Sequence, residues 1–207
     1  MARKTGMGGV MPRHEEEDEE GANPPGMIEL KKLLRSGGAR YEHMDEVFPD
    51  VYIGNENAAH DLRRLGSMGF THVLNAAHGS GCPAVGPEYY ARVGDVAYLG
   101  LPADDFPSYD MRPHLVPASD FIHAALQAHG RVLVHCVMGR SRSASLVLAY
   151  LMLRVGLRLR AAVRALLAHR SIFPNDGFLR QLIDLDRELL CQRRQPDSVS
   201  HGEALGI

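Results

Sequence analysis

The sequence predicts an α/β fold with a central, mainly parallel sheet and flanking helices. Short apolar runs alternate along the chain with segments of helical period, the order expected of a layered α/β domain. The run that ends at His135, Val132–His135, is typical of a strand covered on both faces. Ser143–Val155 is apolar on all sides, so we expect it to form a buried central helix.

Each element follows from its apolar period and its ends. Met27–Arg35 is predicted to be a short amphipathic helix, and Asn55–Gly66 a helix capped by Asn55 and ended by Gly66. Gly130 is placed to end a third helix, and Pro174 separates the last two. The predicted strands are Val51–Ile53, Thr71–Asn75, Val96–Leu99 and Val132–His135. The other predicted helices are Leu115–His129, Ser143–Val155, Arg158–His169 and Phe178–Cys191.

The chain of 207 residues is expected to hold one folded domain, residues 27–194, without internal repeats. Residues 1–26 are predicted to be a disordered acidic tail, because Glu15–Glu20 is entirely acidic and no apolar period is present. Residues 195–207 are polar and glycine-containing, and we expect a flexible C-terminus there.

Composition excludes several classes of function. Hydrophobic residues make up 45% of the chain, yet no apolar run is long enough for a membrane-spanning helix. The absence of Trp, the 6% of aromatic residues and the net charge of −2 argue against nucleic-acid binding. Three cysteines make a disulfide framework improbable and a reducing compartment the default. We therefore expect a protein of the cytoplasm or the nucleus, without a membrane or nucleic-acid partner. Its oligomeric state is not indicated by the sequence.

Charge is unevenly distributed along the domain. Residues 27–111 hold seven basic and twelve acidic side chains, whereas residues 112–196 hold thirteen basic and five acidic ones. The second half of the domain is therefore cationic and is expected to attract an anion such as phosphate.

The segment from Val132 to Ser143 carries the strongest chemical signal. A buried strand ends at His135, a helix begins by Ser143, and the seven residues from Cys136 to Arg142 join them. Backbone N–H groups at a helix start bind anions, and Gly139 lets the backbone approach a ligand closely. Arg142 can hold two phosphate oxygens, and the positive surroundings favour the thiolate form of Cys136. This combination predicts a nucleophile directed at phosphorus.

The pattern His-Cys-x-x-Gly-x-x-Arg-Ser at residues 135–143 resembles the signature of the cysteine-dependent protein tyrosine phosphatases. Within that superfamily the chain is similar to the small atypical dual-specificity phosphatases, near the Vaccinia-H1-related group and its muscle and testis relatives. Further similar segments are Thr71–Ala77, Tyr98–Gly100, Leu148–Met152 and Pro174–Leu179. The resemblance covers about residues 28–190 and implies the single-domain cysteine-phosphatase fold.

The resemblance assigns roles to the loop. Cys136 is the expected nucleophile, Arg142 the residue that binds the phosphoryl oxygens, and Ser143 the hydroxyl that assists the leaving thiolate. His135 is the supporting histidine that orients the loop. The expected phosphate-binding residues are Val137, Met138, Gly139, Arg140, Ser141 and Arg142.

A general acid is needed to protonate the leaving oxygen. The family places an aspartate after a strand that precedes the cysteine, and here Asp104, Asp105 and Asp110 all meet that condition. Alignment of Tyr98–Gly100 favours Asp105.

One further position, Arg170, is left open between a structural and a functional role. Arg170 either contacts a second phosphate, as the resemblance suggests, or satisfies carbonyl groups at a helix end. Asn175 is expected to organise the turn beneath the site, and Arg140 to lie at the rim of the loop.

The predicted activity is hydrolysis of phosphotyrosine and phosphoserine or phosphothreonine in proteins, through a phosphocysteine intermediate and without a cofactor or metal. The expected partners are phosphoprotein substrates, with mitogen-activated protein kinases as one candidate class. A phosphoinositide phosphatase and a non-catalytic phosphoprotein binder are the alternatives. The first would usually carry several lysines in the loop, and the second has usually lost its cysteine.

Overall fold

A computed structural model describes residues 23–37, 42–79 and 85–194. They form one sheet of five strands with the spatial order β1-β2-β5-β3-β4. The strands are β1 (Met44–Phe48), β2 (Val51–Gly54), β3 (His72–Asn75), β4 (Ala97–Gly100) and β5 (Val132–His135). The helices are α1 (Met27–Ser36), α2 (Glu56–His60), α3 (Leu62–Ser67), α4 (Pro87–Tyr90), α5 (Arg112–Gln127), α6 (Arg142–Tyr150), α7 (Leu159–Leu167) and α8 (Asp176–Arg194).

The sheet is mainly parallel, so the predicted α/β fold class is confirmed. The central strand β5 pairs in parallel with β2 on one side and with β3 on the other, while β4 extends the sheet beyond β3. All four residues of β5 are buried, as its sequence predicted. The carboxyl ends of β2, β5 and β3 therefore meet at one edge, which is the edge where open α/β sheets bind ligands.

Strand β1 was not predicted from the sequence. It pairs antiparallel with β2, and its register shifts between Glu46 and Phe48. Because of this irregularity its buried residues do not alternate strictly with exposed ones, and no clear strand period is visible in the sequence. The short helix α4 was also missed.

The predicted helix over Asn55–Gly66 is in fact two helices. Asn55 caps the first of them, since its side chain accepts a hydrogen bond from the backbone N–H of Ala58. Asp61 then ends α2 and caps α3 through the N–H of Arg64. A second N-capping side chain inside the segment is the physical reason for the break.

The end of α5 differs from the prediction in one respect. The left-handed residue after this helix is His129, with φ of 54°, and not Gly130. Gly130 is required for another reason, because a Cβ atom there would lie 2.3 Å from Oγ1 of Thr71.

Helix α6 is the central buried helix that the sequence predicted. All of its residues are buried, and it contacts α5, α7, α8 and the sheet. A π-helical segment, Leu151–Val155, continues it to Gly156, which has a φ of 85°. The N-terminus of α6 is thereby fixed in the core beside the end of β5.

The predicted ends of the chain are hardly covered by the structure. Of the predicted acidic tail at 1–26, residues 23–26 are described, and the rest lies outside the described residues. The predicted flexible segment 195–207 also lies outside them.

Candidate active site

The loop from Cys136 to Arg142, here called the phosphate loop, connects the carboxyl end of β5 to the N-terminus of α6. The preceding end of β2 holds it in place. The N–H of Cys136 donates to the carbonyl oxygen of Gly54 at 3.4 Å, and the N–H of Glu56 donates to that of Val137 at 3.0 Å. The loop thus rests on two adjacent strands of the sheet.

The thiol of Cys136 is buried and is surrounded by hydrogen-bonding groups. The N–H of Gly139 donates to Sγ at 3.2 Å, and Oγ of Ser143 lies 3.4 Å from Sγ. Gly139 has a φ of 65°, and a Cβ atom at this position would lie 2.5 Å from the carbonyl oxygen of Gly54. Glycine is therefore needed to fold the loop around the sulfur.

Arg142 brings the second functional group to the loop. It is the first residue of α6, and its side chain is buried against the segment that follows β4. Nη1 donates to the carbonyl oxygen of Ala103 at 3.1 Å, and Nε lies 3.6 Å from Oδ2 of Asp105. A guanidinium beside a helix N-terminus is suited to binding an anion.

Among the three candidate acids, Asp105 is the one that the structure brings to the phosphate loop. Its Oδ1 accepts hydrogen bonds from Oγ of Ser141 at 2.6 Å and from Nδ2 of Asn175 at 2.9 Å. Asp110 instead pairs with Arg112, at 2.8 Å from Nε. Asp104 is exposed and instead lies near Tyr109. Burial of Tyr109, followed by the negative charge of Asp104, raises the pKa of Tyr109.

Sequence reasoning did not find that Ser141 and Asn175 hold this aspartate. The N–H of Asn175 also donates to Oγ of Ser141 at 3.1 Å, so the three residues form one network. Gly177 keeps the network close, because a Cβ atom there would lie 1.9 Å from the carbonyl oxygen of Pro107. These contacts join segments far apart in the chain, and no local pattern signals them.

His135 is fully buried at the end of β5. Burial lowers its pKa from 6.5 to about 3, so the imidazole is neutral at physiological pH. A neutral ring directly before Cys136 is compatible with the supporting role that the resemblance implies.

Arg170 lies buried beneath the phosphate loop. Its side chain has an exposed fraction of 0%, and Nε donates to the carbonyl oxygen of Gly139 at 2.9 Å. Nη1 donates to the carbonyl oxygen of Glu42 at 3.0 Å and forms an ion pair with Asp45. Of the two roles left open, these contacts show the structural one, because Arg170 supports the phosphate loop from below, and the contact with a second phosphate stays a prediction.

The rim of the phosphate loop is formed by Arg140 and Met138. The guanidinium of Arg140 lies 6.0 Å from the ring centroid of Phe173, and the backbone carbonyl of Arg140 accepts from the N–H of Phe173 at 2.8 Å. Met138 is exposed, whereas Val137 is half-buried.

Two features are absent from the described parts of the chain. No helix there combines the length and the apolar character required to cross a bilayer. No cluster of three or more His, Cys, Asp or Glu side chains suited to a metal ion occurs among the same residues.

The arrangement offers a nucleophile, an anion cradle and a carboxyl group at one edge of the sheet. Sγ of Cys136 lies at the base, the helix N-terminus and Arg142 provide positive potential, and Asp105 lies beside them. This set of groups is suited to transfer of a phosphoryl group to sulfur.

Comparisons with known proteins identify the family. The family model described as "Dual specificity phosphatase, catalytic domain" matches residues 51–188. Dual specificity protein phosphatase 26 from Bos taurus and from Pongo abelii are each 49% identical to this chain over 164 residues, which cover 79% of this chain and 76% of each relative.

Solved structures agree as well. The crystal structure of human DUSP28 is similar with a TM-score of 0.64 and 31% identity, covering 73% of this chain and 98% of that one. For the crystal structure of DUSP15 the TM-score is 0.61 and the identity 33%, with 76% and 98% covered. The chain therefore belongs to the dual-specificity phosphatases, a family of protein phosphatases and hence of hydrolases.

Proposed function

We propose that this protein hydrolyses phosphotyrosine and phosphoserine or phosphothreonine in protein substrates, through a phosphocysteine intermediate on Cys136. The observation that carries the proposal is the environment of the sulfur. Sγ lies 3.2 Å from the N–H of Gly139, in a loop that ends at Arg142 and the N-terminus of α6. Such a cradle stabilises both a thiolate and the negative charge of a phosphoryl group.

The reaction has two steps. In the first, the thiolate of Cys136 attacks phosphorus, the S–P bond forms, and the P–O bond to the substrate breaks while Asp105 gives its proton to the leaving oxygen. In the second, water attacks phosphorus and gives a proton to Asp105, and the S–P bond breaks to release inorganic phosphate. Oγ of Ser143, 3.4 Å from Sγ, is placed to stabilise the departing thiolate.

The first test is hydrolysis of p-nitrophenyl phosphate in the presence of EDTA. Wild type is expected to turn over, and Cys136→Ser to lose activity by several orders of magnitude, because a serine hydroxyl is a far weaker nucleophile at neutral pH. The matched control is Cys191→Ser, since Cys191 is exposed on α8 and far from the loop in sequence. Equal activity of the Cys136→Ser and wild-type proteins would refute the proposal.

The intermediate can be observed directly. Ser143→Ala is expected to slow the second step, so that the phosphoenzyme accumulates. Acid quench followed by mass spectrometry of the peptide that contains Cys136 should then detect one added phosphoryl group. A phosphoryl group on any other residue would contradict the assignment.

Dual specificity is tested with matched peptides. Phosphotyrosine, phosphothreonine and phosphoserine peptides of otherwise identical sequence should all be hydrolysed, with rates compared as kcat/KM. Hydrolysis of phosphotyrosine alone would restrict the proposal to tyrosine.

One similar solved structure is relevant to the alternative, a non-catalytic binding function. A solved human structure named "tyrosine phosphatase-like serine/threonine/tyrosine-interacting protein" is similar with a TM-score of 0.61 and 30% identity, covering 71% of this chain and 97% of that one. For the present chain, Cys136, Arg142 and Asp105 occur together at one site, which favours turnover over binding. Vanadate should inhibit an enzyme with this cradle, because it imitates the pentacovalent state of phosphorus.

The substrates and the location in the cell are also proposals. We propose phosphoproteins of the cytoplasm and nucleus as substrates, with mitogen-activated protein kinases as one class to be tried. Fractionation of cells that express the protein, with phosphoprotein capture by the Cys136→Ser variant, tests both points.

A further inference from the structure

A cleft of about 340 Å³ lies beside the phosphate loop. We call it the flanking cleft and define it by Glu42, His43, Glu56, Val137 and Met138. Its volume is at the lower end of the range of roughly 300–1,000 Å³ that is usual for ligand pockets. It is therefore large enough to receive one amino-acid side chain.

The position of the flanking cleft links it to the reaction. Two of its walls, Val137 and Met138, directly follow Cys136 in the phosphate loop, and the N–H of Glu56 donates to the carbonyl oxygen of Val137 at 3.0 Å. The flanking cleft therefore borders the phosphate loop, on the side where a residue next to the phosphorylated one in a substrate chain would lie. Met138 is an exposed apolar side chain at the boundary between the two sites.

The flanking cleft carries negative charge. Glu42 and Glu56 are exposed, and neither forms an ion pair within the described ranges 23–37, 42–79 and 85–194. The wall between them is ordered, because the side-chain amide nitrogens of Asn55 and Asn57 lie 3.2 and 3.4 Å from Nδ1 of His43. The acidic groups are thus presented on a built surface beside a strongly cationic loop.

The side chain of Arg170 is buried and does not line the flanking cleft. Arg170 is fully buried, forms an ion pair with Asp45, and donates hydrogen bonds to the carbonyl oxygens of Gly139 and Glu42. The Glu42 backbone is thus held by Arg170, whereas the Glu42 carboxylate remains exposed to a ligand. A second phosphate in the cleft would meet carboxylates and no exposed guanidinium of Arg170.

We propose that Glu42 and Glu56 are specificity-determining residues that select a lysine or arginine beside the phosphorylated residue and disfavour a second phosphate there. The inference rests on the proposed function, because it names the substrate class of the same site. A basic side chain would lay its aliphatic part against Met138 and its charged end between the carboxylates. A phosphate in that position would be repelled by like charge.

The test uses a set of phosphotyrosine peptides that differ only at the residue directly before or directly after the phosphotyrosine. That residue is Arg, Ala or phosphoserine, and each side is varied separately. At one of the two sides, wild type should hydrolyse the Arg peptide about three-fold faster than the Ala peptide in kcat/KM, the size expected for an exposed ion pair. The phosphoserine peptide should be slower than the Ala peptide by a similar factor.

The variants isolate the cause. Glu42→Gln combined with Glu56→Gln should bring both ratios to about one, and Glu56→Lys alone should reverse the preference. Glu88→Gln is the matched control, since Glu88 is exposed on α4, outside both the loop and the cleft, and should keep the wild-type ratios. Because each ratio is taken within one protein, altered overall activity of a variant does not affect the comparison.

Three results would overturn the inference: equal rates for the Arg and Ala peptides, faster hydrolysis of the doubly phosphorylated peptide, or a preference that survives in the double variant. Loss of turnover on every peptide and on p-nitrophenyl phosphate would refute the proposed function instead. In that case, fluorescence anisotropy of the same peptides with the Cys136→Ser protein measures the preference as affinity, with the same criteria.

Discussion

Oγ of Ser141 donates a hydrogen bond of 2.6 Å to Oδ1 of Asp105, across a separation of 36 residues in the chain. The same hydroxyl oxygen accepts from the backbone N–H of Asn175. Ser141 therefore joins the phosphate loop, the proposed acid and the start of α8 through one side chain. The orientation of Asp105 therefore depends on a residue of the phosphate loop.

Replacement of Ser141 by Ala should reduce kcat about ten-fold on phosphotyrosine peptides. The loss corresponds to about 1.5 kcal/mol, the usual contribution of one hydrogen bond to a charged group. KM should change less, because the effect acts on the position of Asp105. Ser67→Ala, at an exposed position on α3, is the control. A pure rise in KM would contradict a positioning role.

Replacement of Asp105 by Asn should lower kcat by about 10²- to 10⁴-fold on peptides whose leaving group needs a proton. Asp104→Asn and Asp110→Asn should each remain within about two-fold of wild type, because neither carboxylate is bonded to the phosphate loop. The pH dependence of kcat should lose the limb that reports the acid in Asp105→Asn. If Asp104→Asn or Asp110→Asn gave the large loss, the acid would have to be reassigned.

His135 should make the stability of the protein depend on pH. Its pKa is about 3 in the folded protein and about 6.5 when unfolded, so between these values the unfolded chain binds more protons. Stability should therefore fall as the pH is lowered, by about 2 kcal/mol from pH 7 to pH 5 for this residue. Urea denaturation at both pH values measures this difference in the free energy of unfolding. His135→Gln should make the difference between pH 7 and pH 5 smaller by about 2 kcal/mol. The matched substitution His43→Gln, at an exposed histidine, should leave it unchanged.

The ion pair of Arg158 with Asp186 should be important for stability. Asp186 is almost fully buried, accepts two hydrogen bonds of 2.9 Å from Arg158, and accepts a third from the N–H of Leu159 at 3.0 Å. Asp186→Ala removes all three and should lower the free energy of unfolding by about 3 kcal/mol. Asp184→Ala, which breaks an exposed pair with Arg187, should cost no more than about 1 kcal/mol. Similar midpoints in urea for both variants would argue against this assignment.

The parts of the site that could be predicted from sequence are contiguous. Strand, loop and helix N-terminus follow one another from Val132 to Arg142, and the apolar pattern on either side of the loop fixes their type. The contacts that hold Asp105 could not be predicted, because Asn175 lies 70 residues away from it in the chain. Only the crossing of segments in the folded protein brings these groups together.

Arg170 is a second example of a role that the local sequence could not decide. Its sequence context allowed either a second-phosphate contact or a structural role, and the decisive partner, Asp45, lies on the unpredicted strand β1. Similarly, the segment has two residues that can cap a helix, Asn55 and Asp61. Both of them do so, and the helix is therefore broken between α2 and α3. Local propensity permits these alternatives, and the packing of the complete chain decides between them.

The ion pair between Arg170 and Asp45 also bears on which residues a functional fragment of the chain must include. Asp45 lies ahead of Val51, where the match to the family model begins. A fragment trimmed to residues 51–188 would keep every group that takes part in the reaction, but it would leave a buried guanidinium without its carboxylate directly beneath Gly139. A competent phosphatase is therefore expected to need strand β1, which lies outside the stretch that the family model matches.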